Sequence, residues 1–133
     1  MTQPIQEPFQ VPGYTLAVLA ESLYLINLLL LPGLTFIMLL WLYVKHENHS
    51  PPLASCHLRQ TVAASIWAGL LLILINGIII AMGGYKAPYT WVIAILYFTT
   101  CHSLLVLLGI LGLAKAMAGK LFRYPLIGPI ELR

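Results

Sequence analysis

Two stretches of this chain, Thr61 to Met82 and Trp91 to about Ala114, contain no Asp, Glu, Lys or Arg. Each is long enough as a helix to cross the ~30 Å hydrocarbon core of a bilayer. Inside lipid every peptide group must find its hydrogen bond within the segment, so a lone apolar stretch of this length crosses only as an α-helix. The fold class read from these stretches is an all-α integral membrane protein. The rest of the composition agrees, with 60% hydrophobic residues, 8% charged and a mean hydropathy of +0.91, values outside the range of a soluble domain. With 133 residues there is room for one domain and no separate catalytic module.

A third apolar region, Tyr14 to Val44, is interrupted by Glu21, Asn27 and the pair Pro32-Gly33. As one helix it would measure roughly 46 Å, more than a bilayer core needs. The preferred reading is an interfacial lead-in over Thr15 to Ser22 and a span over 23–44, kinked at Pro32, with Trp41, Tyr43 and Lys45 at the far interface. Its rival is a hairpin turning at Pro32-Gly33, which gives four helical elements. It ranks second because Leu34 to Val44 supplies only about 16 Å of helix. The expected organisation is therefore an extended tail over 1–13, a transmembrane domain over 14–118 with spans at 23–44, 61–82 and 91–114, and a basic tail over 119–133.

Lys115, Lys120, Arg123 and Arg133 follow the last span, and Lys45 and Arg59 flank the loop before the second, whereas no Lys or Arg precedes Lys45. The excess of basic residues predicts a cytoplasmic C-terminus, and three crossings then place the N-terminus on the opposite side. The absence of early basic residues also removes the positively charged region of a signal peptide. Lys115, Lys120 and Arg123 are expected to meet anionic lipid headgroups. A net charge of +3 gives no support to nucleic-acid binding.

Polar and small residues fall on helical faces. In the second span His57, Thr61, Ser65, Gly69 and Asn76 recur at intervals of four, four, four and seven, and in the third Thr99, His102 and Gly109 do so with Ser103 close by. Polar groups in hydrocarbon need partners, so these faces are expected to pack against other protein, Gly69 by close backbone approach. His102 lies near mid-membrane and is the candidate for a metal or haem ligand or a proton relay; a neutral ring bonded beside Thr99 and Ser103 is the simpler reading. A haem held by two histidines needs both at one depth, and His57 sits at the far end of its span. The same separation, roughly 15 Å, excludes a Cys56–Cys101 disulfide and a metal site built from the two Cys-His pairs. Residues Lys45 to His49 hold two histidines without a clear third ligand. Glu21 is read as an interfacial carboxylate reaching water, or as a partner of His102 or a cytoplasmic arginine. No phosphate-binding loop, paired carboxylates or nucleophile with a local base occurs, so neither an enzyme nor a cofactor is expected.

The succession "LLLLPGLTFIMLLWLYVKHENHSPPLASCHLRQ", two long spans and "AKAMAGKLFRYPLIG" resembles the small bacterial Tic-like membrane proteins of unknown function. The matching positions are Pro32, Gly33, Trp41, Lys45, His57, Gln60, Arg123, Tyr124, Pro125 and Leu126, within a resemblance running from about Leu16 to Gly128. Relatives of that family include magnetosome-membrane proteins and, more distantly, a chloroplast inner-envelope translocon component. The resemblance implies a bacterial inner-membrane protein and brings no catalytic residues. The chain has no acidic loop to face a mineral, which speaks against a direct biomineral role. The function expected is a small structural or accessory subunit of a larger membrane complex, with other membrane subunits as partners. A homo-oligomeric carrier or channel component is the second reading, and a cofactor-binding electron-transfer subunit the third.

Overall fold

A computed structural model of the protein describes residues 7–124 apart from residue 47. Five α-helices form among them: α1 (Tyr14–Leu29), α2 (Leu34–His46), α3 (Pro52–Ala81), α4 (Thr90–Tyr97) and α5 (Ser103–Met117). A π-helical turn, Phe98–His102, joins α4 to α5, so that Thr90–Met117 is one continuous helical rod of 28 residues. No strand occurs among the described residues.

Local chemistry explains the boundaries. Pro52 occupies the first turn of α3, where a missing N–H costs nothing. At the other end Gly83 and Gly84 take positive φ angles of 120° and 86°, and their N–H groups bond back to the carbonyls of Ile80 and Ile79. Between α1 and α2 the chain reverses over Leu30–Gly33. Gly33 has a φ of 90°, and its N–H donates to Asn27 Oδ1 at 2.9 Å. Thr35 donates its hydroxyl to the Leu31 carbonyl at 2.6 Å. The side chains of Asn27 and Thr35 thus satisfy polar groups that the broken helix leaves open.

The turn corrects the reading of the first apolar region. Ala20 and Leu23 of α1 share one cluster with Leu39 of α2 and Leu58 and Val62 of α3, with Leu16, Leu42 and Tyr43 packed around it. Leu16 lies early in α1 and Leu42 late in α2, so the two helices run antiparallel as a hairpin and not as a kinked rod. Its arms are about 24 and 20 Å long, against about 45 Å for α3. Among the described residues the helices long and apolar enough to cross a membrane are Pro52–Ala81 and Thr90–Met117.

The hairpin arm α1 is the centre of the bundle, packed against α2, α3 and α5. Its return brings both ends of the described chain together. Ala17, Leu53 and Ala116 form one cluster with Val11, Tyr14 and Val18 around it. A methyl group added at Gly119 would come within 3.0 Å of Val11 and 3.3 Å of Pro8. Residues 7–13, expected as part of an extended tail, include a short 3-10 helix at Pro8–Gln10. Residues before α1 and after α5 therefore lie at the same end of the bundle, where single crossing of the first apolar region had placed them apart.

Candidate functional site

Seven residues into α1, the chain buries a carboxylate completely. Glu21 is 0% exposed and sits where α1, α3 and the segment after α5 meet. Its Oε1 accepts hydrogen bonds from His57 Nδ1 and Gln60 Nε2, each at 2.5 Å. Its Oε2 accepts from the hydroxyl of Tyr124. His57 and Gln60 are three residues apart on α3 and so present neighbouring side chains to one point. His57 Nε2 faces the backbone carbonyl of Lys120 at 3.0 Å. His57, Gln60 and Tyr124 are themselves no more than 1% exposed.

The partners set the protonation of this cluster. A carbonyl only accepts, so His57 Nε2 carries hydrogen. Nδ1 then faces the Glu21 carboxyl at 2.5 Å as a buried acid–base pair. A lone charge at this depth of burial would cost many kcal/mol, and the pairing together with three donors on the carboxyl removes most of that penalty. Burial first, and then the Glu21 carboxylate, hold the Tyr124 hydroxyl far above the ordinary phenol range, so it remains a donor. The cluster closes to water, and its chemistry is that of a lock between segments.

Two glycines make room for it. A Cβ at Gly112 of α5 would stand 2.5 Å from Glu21 Oε2, and one at Gly109 would stand 2.6 Å from Leu25 and 2.8 Å from the Tyr24 ring. Only bare backbone allows α5 to approach α1 this closely, and the Tyr24 hydroxyl spans the contact to the Leu105 carbonyl at 3.1 Å. Tyr24 and Tyr124 pack with ring centroids 5.7 Å apart.

The residues singled out from the sequence separate into four groups, the first being Gly109 in the α1–α5 contact just described. His57 joins the cluster, and Thr61 is buried next to it with its hydroxyl on the His57 carbonyl at 2.7 Å. Ser65, Gly69 and His102 line a groove of about 570 Å³ between the hairpin turn, the middle of α3 and the π turn. Gly69 does not bring a helix close: a Cβ there has nothing within 4 Å. Asn76, Thr99 and Ser103 form no contact between long helices. Asn76 bonds the Leu72 carbonyl and the Tyr85 hydroxyl, while Thr99 and Ser103 are exposed and bond the carbonyls of Ile95 and Phe98 on their own rod. The face of α5 turned to the bundle is instead Leu105, Leu108, Gly109, Gly112 and Ala116, which points Ser103 outward. His102 meets the rings of Tyr97 and Phe98 at 6.4 and 5.2 Å, and Thr99 and Ser103 spend their hydroxyls elsewhere, so the cluster expected of the three is not formed.

Lys115, Lys120 and Arg123 are exposed at the end of the bundle that also carries Lys45 and Arg59, with the Lys45 ammonium 4.7 Å over the Trp41 ring. Arg133 lies outside the described residues. No disulfide joins Cys56 and Cys101, and no group of three His, Cys, Asp or Glu side chains suited to a metal occurs among the described residues.

Sequence reasoning missed the role of Glu21 and the space provided by Gly112. The available signal was a carboxylate inside an apolar region that lacked any nearby cation on its own helix. The family model described as magnetosome magnetite crystal formation protein matches residues 13–131. Neither a curated protein nor a solved structure matches the chain.

Proposed function

This chain belongs to the magnetosome magnetite crystal formation protein family, and from that premise we propose that it is a small accessory component of a crystal-forming bacterial membrane. In this reading it packs and positions helices and does not catalyse. The observation that carries the proposal is the enclosure of Glu21. Among the described residues it is the one carboxylate inside the bundle, and it is fully buried and accepts from His57, Gln60 and Tyr124, so it is not exposed to a substrate. Among the described residues the other carboxylate is Glu7, so these residues present no acidic surface to metal ions or mineral. A contribution to crystal formation then runs through the membrane around the crystal.

The outward surface supports a role in assembly. Ile66, Trp67, Leu70, Ile73 and Leu74 of α3 and Trp91, Val92, Ile95 and Leu96 of α4 are all exposed and apolar, a surface suited to lipid and to further helices. Our proposed topology has two crossings, α3 and the α4–α5 rod, and a hairpin entering from the side on which the chain's ends lie. The basic residues Lys45, Arg59, Lys115, Lys120 and Arg123 make that side cytoplasmic. The inner membrane, or a membrane derived from it, is the setting.

Affinity capture of the tagged chain from gently solubilised native membranes tests the accessory role. Stoichiometric recovery of other integral membrane proteins is expected. Recovery of the chain alone, across several mild detergents, removes the reading.

A further inference from the structure

The hairpin ends halfway along α3, and the space beyond its turn is the groove lined by Asn27, Phe36, Ser65, Gly69, Tyr97 and His102 among others. Three observations bear on its occupant. First, no Lys, Arg, Asp or Glu lines it, and it faces the middle of the two long helices, where phosphate headgroups do not reach. The occupant is therefore neutral and lipid-soluble. Second, the groove is walled by side chains with hydrogen-bonding capacity, one of them unpartnered. Ser65 is 5% exposed, and its hydroxyl makes no hydrogen bond, although serines in helices ordinarily bond a preceding carbonyl. Ser65 is one of the residues lining the groove. The His102 ring lies beside the rings of Tyr97 and Phe98, and the Asn27 side-chain oxygen accepts from Gly33 N–H, which leaves the side-chain amide hydrogens to donate. Third, the wall opposite α3 is a π turn, a costly backbone feature that frequently marks functional sites, and it carries Phe98 and His102 beside Tyr97. Flat rings are what such a wall stacks against.

From these we infer that the groove binds a neutral, lipid-soluble molecule with a planar ring bearing carbonyl oxygens, a quinone-type ligand. The ring lies against Tyr97, Phe98 and Phe36. Its oxygens accept from the Ser65 hydroxyl, the His102 ring N–H and the Asn27 amide. The volume of about 570 Å³ lies within the range of small-molecule sites and holds such a ring with the start of an apolar tail. No electron transfer is part of the proposal.

Gly69 supplies a direct test, because its Cβ position is open and it borders the groove. Gly69→Phe places a ring at the groove from a Cβ position that meets nothing within 4 Å. The full chain is reconstituted in nanodiscs and titrated with radiolabelled 2-methyl-1,4-naphthoquinone, with empty nanodiscs as the baseline for partitioning. Saturable binding near one per chain is expected. Gly69→Phe should abolish it with no fall in unfolding temperature, and Ser65→Ala and His102→Leu should each weaken it about fivefold to tenfold, the loss expected for one hydrogen bond. Uptake equal to that of empty nanodiscs overturns the proposal, and so does saturable binding that survives Gly69→Phe. If Gly69→Phe instead changes the oligomeric state while the quinone never binds, the groove belongs to a protein helix and the inference fails.

Discussion

The Glu21 carboxylate lies 2.5 Å from the His57 imidazole, with both side chains fully buried and a sequence separation of 36 positions. This pair joins the first apolar helix to the start of the first long one. Through the Lys120 carbonyl and the Tyr124 hydroxyl it also pins the segment that follows α5.

Breaking the pair from one side is expected to be severe. His57→Leu leaves Glu21 buried without its main partner, a change that costs roughly 3–5 kcal/mol in comparable buried pairs. Replacing both, as Glu21→Met with His57→Leu, should recover a large part of the loss, because no charge is left stranded. Unfolding of the four proteins of this cycle in detergent measures the coupling. Additive losses would show that the two residues act independently.

The glycines should separate by position. Gly112→Ala drives a methyl group to 2.5 Å from Glu21 and should destabilise the fold by roughly 1–3 kcal/mol, the usual range for overpacking. Gly69→Ala meets nothing within 4 Å and should be neutral or stabilising by up to about 1 kcal/mol through helix propensity. Unfolding midpoints of the two variants decide it, and equal losses would contradict the packing described.

Tyr124→Phe removes one donor from the carboxylate while keeping the tilted ring contact with Tyr24. A loss of roughly 1.5–3 kcal/mol is expected, the range for hydrogen bonds to charged groups. Limited trypsin digestion gives a second readout: release of the segment should speed cleavage at Lys120 and Arg123 relative to Lys86. Unchanged cleavage rates would mean that the hydroxyl does not hold the segment.

Topology is open to reporter fusions. Fusions at the N-terminus and at the C-terminus should both report the cytoplasm, and one in the Gly83–Tyr89 turn the opposite side. An N-terminus found outside would restore a single crossing by the first apolar region and remove the hairpin.

Within the hairpin, Asn27→Leu leaves the Gly33 N–H without its acceptor and should cost about 1 kcal/mol, while Gly33→Val adds strain of about 1–2 kcal/mol at a φ of 90°. Helix content by circular dichroism should stay near that of the parent in both, since the arms remain intact. A large loss of helix would show that the turn nucleates the arms and does not merely join them.

Much of the helical framework was legible in the residues. Long stretches without charge mark α3 and the α4–α5 rod, Pro51-Pro52 and Gly83-Gly84 mark where α3 starts and stops, and Pro32-Gly33 marks the break in the first apolar region. These signals are local, arising from backbone geometry and from the insolubility of charge in hydrocarbon, so a sequence carries them openly. The direction the chain takes after Pro32-Gly33 was not legible, because a kink and a reversal use the same residues. The choice belongs to Leu39, Leu42 and Tyr43, which bury themselves against α1 and α3 only if the chain turns back. Nor could spacing along one helix reveal that Glu21 meets His57, Gln60 and Tyr124, since that contact depends on three segments and on the absence of a side chain at Gly112. Periodicity could not say that Gly69, Thr99 and Ser103 lie on sides this chain's own helices leave uncovered, for a related reason: it groups residues into faces but does not say which face the rest of the bundle will cover. That choice was made by the tertiary structure, where the need to satisfy one buried carboxylate and the close approach of α5 to α1 fixed which sides of the helices turn inward.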